Sequence, residues 1–87
     1  MQVAAQISIY PLRQERLSPA IEGAWEALGS HNVTVDKGGM STVVLGEEEE
    51  VFAAVREGFR AAASLGPVSM VVTFSNACPV WSREVSE

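Results

Sequence analysis

Gln6-Ile7-Ser8-Ile9-Tyr10-Pro11-Leu12 alternates strictly, with Gln6, Ser8 and Tyr10 on one side of an extended chain and Ile7 and Ile9 on the other. The apolar side marks a strand lying on a core. The other side carries donors and acceptors without charge and one aromatic ring, where an ordinary solvated sheet face would more often carry Lys, Glu or Thr. That pattern reads as the floor of a pocket or as a seam between subunits. The strand runs from about Val3 to Tyr10, and Pro11 ends it by removing a donor and fixing the backbone.

Downstream, Ser18-Pro19 gives an N-cap followed by proline at the first helical position. Leu17, Ile21, Trp25 and Leu28 then recur at helical spacing as a buried stripe, and Gly29 stops the helix. Asn32 to Lys37 alternates as an edge-type strand, with Val33 and Val35 on one side and Thr34 and Asp36 on the other. Gly38-Gly39 supplies a hairpin turn, and Met40 to Leu45 returns as a third strand. A second helix is predicted over Glu47 to Leu65, with Val51, Phe52, Val55, Phe59, Ala62 and Ala63 as its apolar face. The run Glu47 to Glu50 suits the positive end of that helix better than a metal. Gly66-Pro67 stops it, and Val68 to Ser75 forms the fourth strand.

Strand, helix, hairpin, helix, strand is the βαββαβ order of an α+β, ferredoxin-like sandwich, with two helices on one face of a four-stranded antiparallel sheet. If the bulkier side of each strand meets the helices, Ile7, Ile9, Val43, Leu45, Val72 and Phe74 build the core. The open face then shows Gln6, Ser8, Tyr10, Thr34, Met40, Thr42, Val44, Val71 and Thr73.

Composition limits what such a domain can do. At 87 residues the chain holds one domain, with a tail from about Asn76 whose Val80 and Trp81 suggest docking. Its residues are 47% hydrophobic and 20% charged, a globular composition. So apolar a short chain is expected to bury a sheet face in an oligomer. The formal net charge is -5 and the six basic residues are scattered, which argues against nucleic acid. The single cysteine, Cys78, excludes an internal disulfide and a Cys-rich zinc site. No segment approaches membrane-spanning length and no signal-peptide pattern opens the chain, so the cytoplasm is the default address.

Neither Cys78 nor the lone histidine, His31, has a plausible catalytic partner in the sequence, and no enzyme is expected. The candidate site is the mixed surface where Gln6, Ser8, Tyr10 and Thr42 converge, with Met40 and Val44 nearby, because a few fixed polar groups among apolar walls make small-molecule sites. A subunit seam would use the same residues, hydrogen-bonded across it. Spacing alone favours the seam, and the two readings can coexist.

The segments Gln6-Ile7-Ser8-Ile9-Tyr10-Pro11-Leu12 and Gly38-Gly39-Met40-Ser41-Thr42-Val43-Val44-Leu45-Gly46, with the Glu-rich helix bearing Val51-Phe52, together resemble the thiamine-binding, YkoF-like family. The likeness covers roughly Val3 to Ser75. It implies a ferredoxin-like subunit assembling into dimers or tetramers through its sheets. It also implies a non-enzymatic site for thiamine or its hydroxymethylpyrimidine part, with no cofactor. By this likeness Gln6, Ser8 and Tyr10 of the first motif and Met40 and Thr42 of the second would contact the pyrimidine. The chain departs from the family pattern at Gly39, where many relatives carry proline, and in the tail beyond Ser75. The expected function is thus a cytoplasmic homo-oligomer that carries, buffers or senses thiamine or a related aminopyrimidine. Its rivals are an oligomeric interaction or regulatory module with no small ligand, and an enzyme subunit completed by another chain.

Overall fold

Six elements follow one another in the expected order: β1 (Gln2–Pro11), α1 (Ser18–Gly29), β2 (Thr34–Lys37), β3 (Thr42–Glu47), α2 (Glu48–Ala63) and β4 (Val68–Ser75). The structure is a computed structural model that describes residues 1–13, 16, 18–38 and 41–77. Leu17, Gly39, Met40, Cys78, Val80 and Trp81 lie outside the described residues, as does the tail from residue 78. The four strands form one antiparallel sheet in the order β2-β3-β1-β4. Both helices cover one face of it, so the chain has the ferredoxin-like α+β architecture that its alternation of periods predicts.

β1 sits at the centre and sets the register for its neighbours. Ala5 lies opposite Val44 and Ile7 opposite Thr42 on one side, and Ile7 lies opposite Val72 and Ile9 opposite Met70 on the other. Directly paired residues point to the same face. Because Val3, Ala5 and Ile7 face the helices, Thr42, Val44 and Val72 do as well. This corrects the expected orientation of β3: Val44 is wholly buried and Thr42 only 5% exposed, whereas Val43 and Leu45 stand half-buried on the open face. Size misled the reading. Val43-Val44-Leu45 is an uninterrupted apolar run, and only its pairing with β1 decides which side is inward.

The helix faces are also built from smaller residues than expected. α1 buries Ala20, Ala24 and Leu28, and α2 buries Val51, Ala54, Gly58 and Ala62. Phe52 and Phe59 instead remain 48% and 42% exposed, and Ala63 is exposed too. Close approach of the helices is the reason: a Cβ added at Gly58 would lie 3.2 Å from Leu28 Cδ2. Such contact favours rows of Ala and Gly over phenylalanine. Phe52 moves to the rim, where it stacks on Phe74 with ring centroids 4.1 Å apart. Phe74, expected in the core, is accordingly 39% exposed. Ile7, Leu28, Val44 and Val51 are the largest fully buried side chains, each worth about 1.5–3 kcal/mol of burial.

The acidic run begins α2 as expected, with Glu48, Glu49 and Glu50 in its first turn. Among the described residues, no helix is long and apolar enough to cross a membrane.

Candidate functional site

The register that buries Thr42 divides the predicted site between the two faces of the sheet. Gln6, Ser8 and Tyr10 project from the open face, where Tyr10 is 53% exposed. Thr42 is on the helix side and accepts a hydrogen bond from Trp25 Nε1 at 3.0 Å. Met40 lies outside the described residues. The expected convergence of Thr42 with Ser8 and Tyr10 is therefore corrected, because the register sets Thr42 opposite Ile7, while Ser8 and Tyr10 alternate with Ile7 and Ile9 to the other side of β1. Gln6 alone of the three reaches across, donating from Nε2 to Ser41 Oγ at 3.1 Å.

Thr42 instead borders a cavity of about 190 Å³ between α1 and one end of the sheet. Ile7 and Ile9 of β1 form its floor, Ile21 and Trp25 of α1 its wall, and Gly38, Ser41 and Thr42 its rim. The rim is fixed by a tight turn in which Gly38 N–H donates to the Ser41 carbonyl at 2.8 Å. A Cβ at Gly38 would sit 2.8 Å from that same oxygen, so any larger residue there would force the backbone of the turn to shift. Trp25 is held twice, by its N–H on Thr42 and by the Lys37 ammonium 4.9 Å from its ring centroid.

No described residue lining the cavity is ionisable. What it offers is hydrogen bonding beside an aromatic wall. Thr42 Oγ1 accepts from Trp25 and Ser41 Oγ accepts from Gln6, which leaves each hydroxyl its proton to donate. Two such donors suit a ligand with acceptor atoms in or on a flat ring.

Charge is arranged elsewhere. A hydrogen bond from the Met1 ammonium, 3.0 Å from Glu47 Oε1, holds that exposed carboxylate below its usual range, helped by Gln2. A hollow at this end is bordered by Glu47 to Glu50, and another by Phe52 and Phe74. His31 Nδ1 stands 3.9 Å from Glu50 Oε1 at the same end. Among the described residues, no group of three His, Cys, Asp or Glu side chains could hold a metal ion.

Sequence reasoning placed Trp25 and Ile21 in a core stripe and Gly38 in a turn, and passed over Ser41. One signal was available. A tryptophan in a buried stripe carries an N–H that needs a partner, and a threonine among valines is a natural acceptor.

A family model described as the YKOF-related family matches residues 2–81. No curated protein matches this chain. Among solved structures, a Streptococcus pneumoniae protein aligns with a TM-score of 0.84 at 20% identity, covering 99% of this chain and 97% of its own. A Thermotoga maritima protein, provisionally assigned to thiamine biosynthesis or salvage, aligns with a TM-score of 0.80 at 23% identity, covering 99% and 95%. A hypothetical protein of Methanocaldococcus jannascii aligns at 0.78 and 23% identity, covering 86% and 79%. At these identities the likeness speaks for the fold.

Proposed function

The chain belongs to the YkoF-related family, and from that premise we propose that it binds thiamine or its hydroxymethylpyrimidine moiety without transforming it, as a carrier, buffer or sensor in vitamin salvage. The observation that carries this reading is the cavity walled by Trp25 and rimmed by Ser41 and Thr42. Its volume of about 190 Å³ is on the scale of one ring, since an apolar cavity of about 150 Å³ accepts benzene. A pyrimidine would enter against the Trp25 face and take hydrogen bonds at its ring nitrogens from Ser41 and Thr42. Gln6 would act through Ser41, and Met40 is kept as a contact of the pyrimidine on the family likeness alone. The thiazolium would stay at the mouth, where a net charge of -5 favours a cation. The provisional assignment of the similar Thermotoga maritima protein to thiamine metabolism supports the choice of ligand class.

Ser8 and Tyr10 belong in this reading to assembly through the open face, and with Val71, 56% exposed, they give the rival its basis. That rival is an interaction or regulatory module that uses the face only to form dimers or tetramers.

Thermal denaturation with thiamine, its phosphates and hydroxymethylpyrimidine separates the two. A ligand at a hundredfold excess over its Kd adds about 2.7 kcal/mol of stability, and the Tm should rise for compounds carrying the pyrimidine. A Tm unmoved by all of them at millimolar concentration rejects the ligand and leaves the interaction module.

A further inference from the structure

One charge stands beside the cavity without lining it. In the register of β2 with β3, Lys37 lies directly opposite Thr42, and directly paired residues point to the same face. Lys37 therefore stands on the helix side of the sheet, next in sequence to Gly38 of the cavity rim. Its ammonium reaches 4.9 Å from the centroid of the Trp25 ring that walls the cavity. The side chain is exposed, and the indole holds its cationic end in place by attraction to the ring face. Among the described residues no carboxylate forms an ion pair with it. Glu22 and Glu26 flank Trp25 on α1, yet both are exposed and neither pairs with the ammonium.

The size of the cavity makes that charge matter. A volume of about 190 Å³ takes one ring, given that an apolar cavity of about 150 Å³ accepts benzene. Whatever else a ligand carries must project past the rim, where Lys37 stands. Two electrostatic influences of opposite sign meet there. The net charge of -5 favours a cation, but it is spread over the whole surface and screened beyond about 8 Å at physiological ionic strength. The ammonium acts inside that length. Repulsion of a like charge at about 4 Å is worth about fivefold in affinity even at the dielectric constant of water, and attraction of an opposite charge is worth as much. The near charge outweighs the distant ones.

We infer that Lys37 is a specificity-determining residue of this cavity: it selects a ring whose projecting group is neutral or anionic, a phosphate ester above all, and disfavours one whose projecting group is a fixed cation such as a thiazolium. This selectivity rests on the cavity being a pyrimidine site, and it narrows the ligand class. Hydroxymethylpyrimidine phosphate ranks first, hydroxymethylpyrimidine second and thiamine last.

Calorimetric titration with those three compounds at about pH 8, where a phosphate monoester carries nearly two negative charges, reads the order directly. The parent should bind the phosphate ester at least about tenfold more tightly than thiamine, with hydroxymethylpyrimidine between them. Lys37→Met keeps an unbranched stem to lie along the indole but removes the charge. It should shrink that ratio to about threefold or less, and it should leave uncharged hydroxymethylpyrimidine within about twofold of its parental affinity. Lys37→Arg should keep the parental order. Raising sodium chloride from about 0.02 M to about 0.5 M should compress the ratio in the unaltered protein, a reading that needs no variant. Melting curves verify that each variant is folded. A ratio unmoved by Lys37→Met or by salt, or thiamine binding the parent more tightly than the phosphate ester, overturns the inference while leaving the cavity a pyrimidine site. If none of the three compounds binds the parent, the pyrimidine site and its selectivity fall together.

Discussion

Trp25 Nε1 donates to Thr42 Oγ1 at 3.0 Å, joining α1 to β3 where the cavity meets the core. The bond satisfies an indole N–H and a hydroxyl that would otherwise be withdrawn from water with no partner nearby. In the proposed function, stability and recognition share this one contact, and the two can be measured apart.

Thr42→Val keeps the volume but leaves the indole N–H unmet, which should cost about 1–3 kcal/mol. Trp25→Phe strands the hydroxyl and should cost a comparable amount. The double variant should be less damaging than the sum of the two, and urea midpoints for all four proteins measure the coupling. Strict additivity would show that the bond contributes nothing.

Binding should follow the cavity and not the open face. Ser41→Ala and Thr42→Val should each weaken hydroxymethylpyrimidine about tenfold to a hundredfold, the equivalent of about 1–3 kcal/mol. Ser8→Ala and Tyr10→Leu should leave affinity near that of the parent while loosening any assembly through the sheet face. Calorimetric titration beside light scattering decides between the sites, and the reverse pattern of losses would move the ligand to the open face.

The helix pair should respond to added bulk according to the space available. At Gly58 a Cβ already presses on Leu28 at 3.2 Å, so Gly58→Val should lower stability by about 1–3 kcal/mol. At Gly23 the nearest atom, the Ala61 carbonyl oxygen, is 3.9 Å away, so Gly23→Ala should raise stability by about 0.5–1 kcal/mol through helix propensity. Thermal melts of the two variants should shift in opposite directions.

The stack of Phe52 on Phe74 ties the start of α2 to the end of β4. A cycle of Phe52→Leu, Phe74→Leu and the pair should return a coupling of about 0.5–1.5 kcal/mol, the usual worth of such an aromatic contact. A coupling indistinguishable from zero would mean that the rings meet without mutual stabilisation.

The order of elements was legible because punctuation is strong where it matters. Pro11 and Gly66-Pro67 bracket the strands, and Ile7 and Ile9 alternate cleanly with polar neighbours. The inward side of β3 was not legible, since Thr42 looks like an open-face residue until Trp25 is found waiting for it. Nor was the face of α2, where Phe52 and Phe59 outweigh Ala54 and Gly58 in any reckoning by hydrophobic size. Both errors share a cause. Burial is decided by how closely a partner element approaches, and a single segment carries no record of that distance. The expected convergence inherited the first error, setting Thr42 beside Ser8 and Tyr10 when the sheet lies between them.

The guarded edge at β2 has a bearing on stoichiometry. A subunit with two adhesive edges could add neighbours without end and grow into a filament. Here four residues bearing Asp36 and Lys37 guard one side, so β4 is the one long uncharged edge that the described sheet presents. Unlimited growth by edge pairing would need β2 to pair as well, and its shortness and charge oppose that.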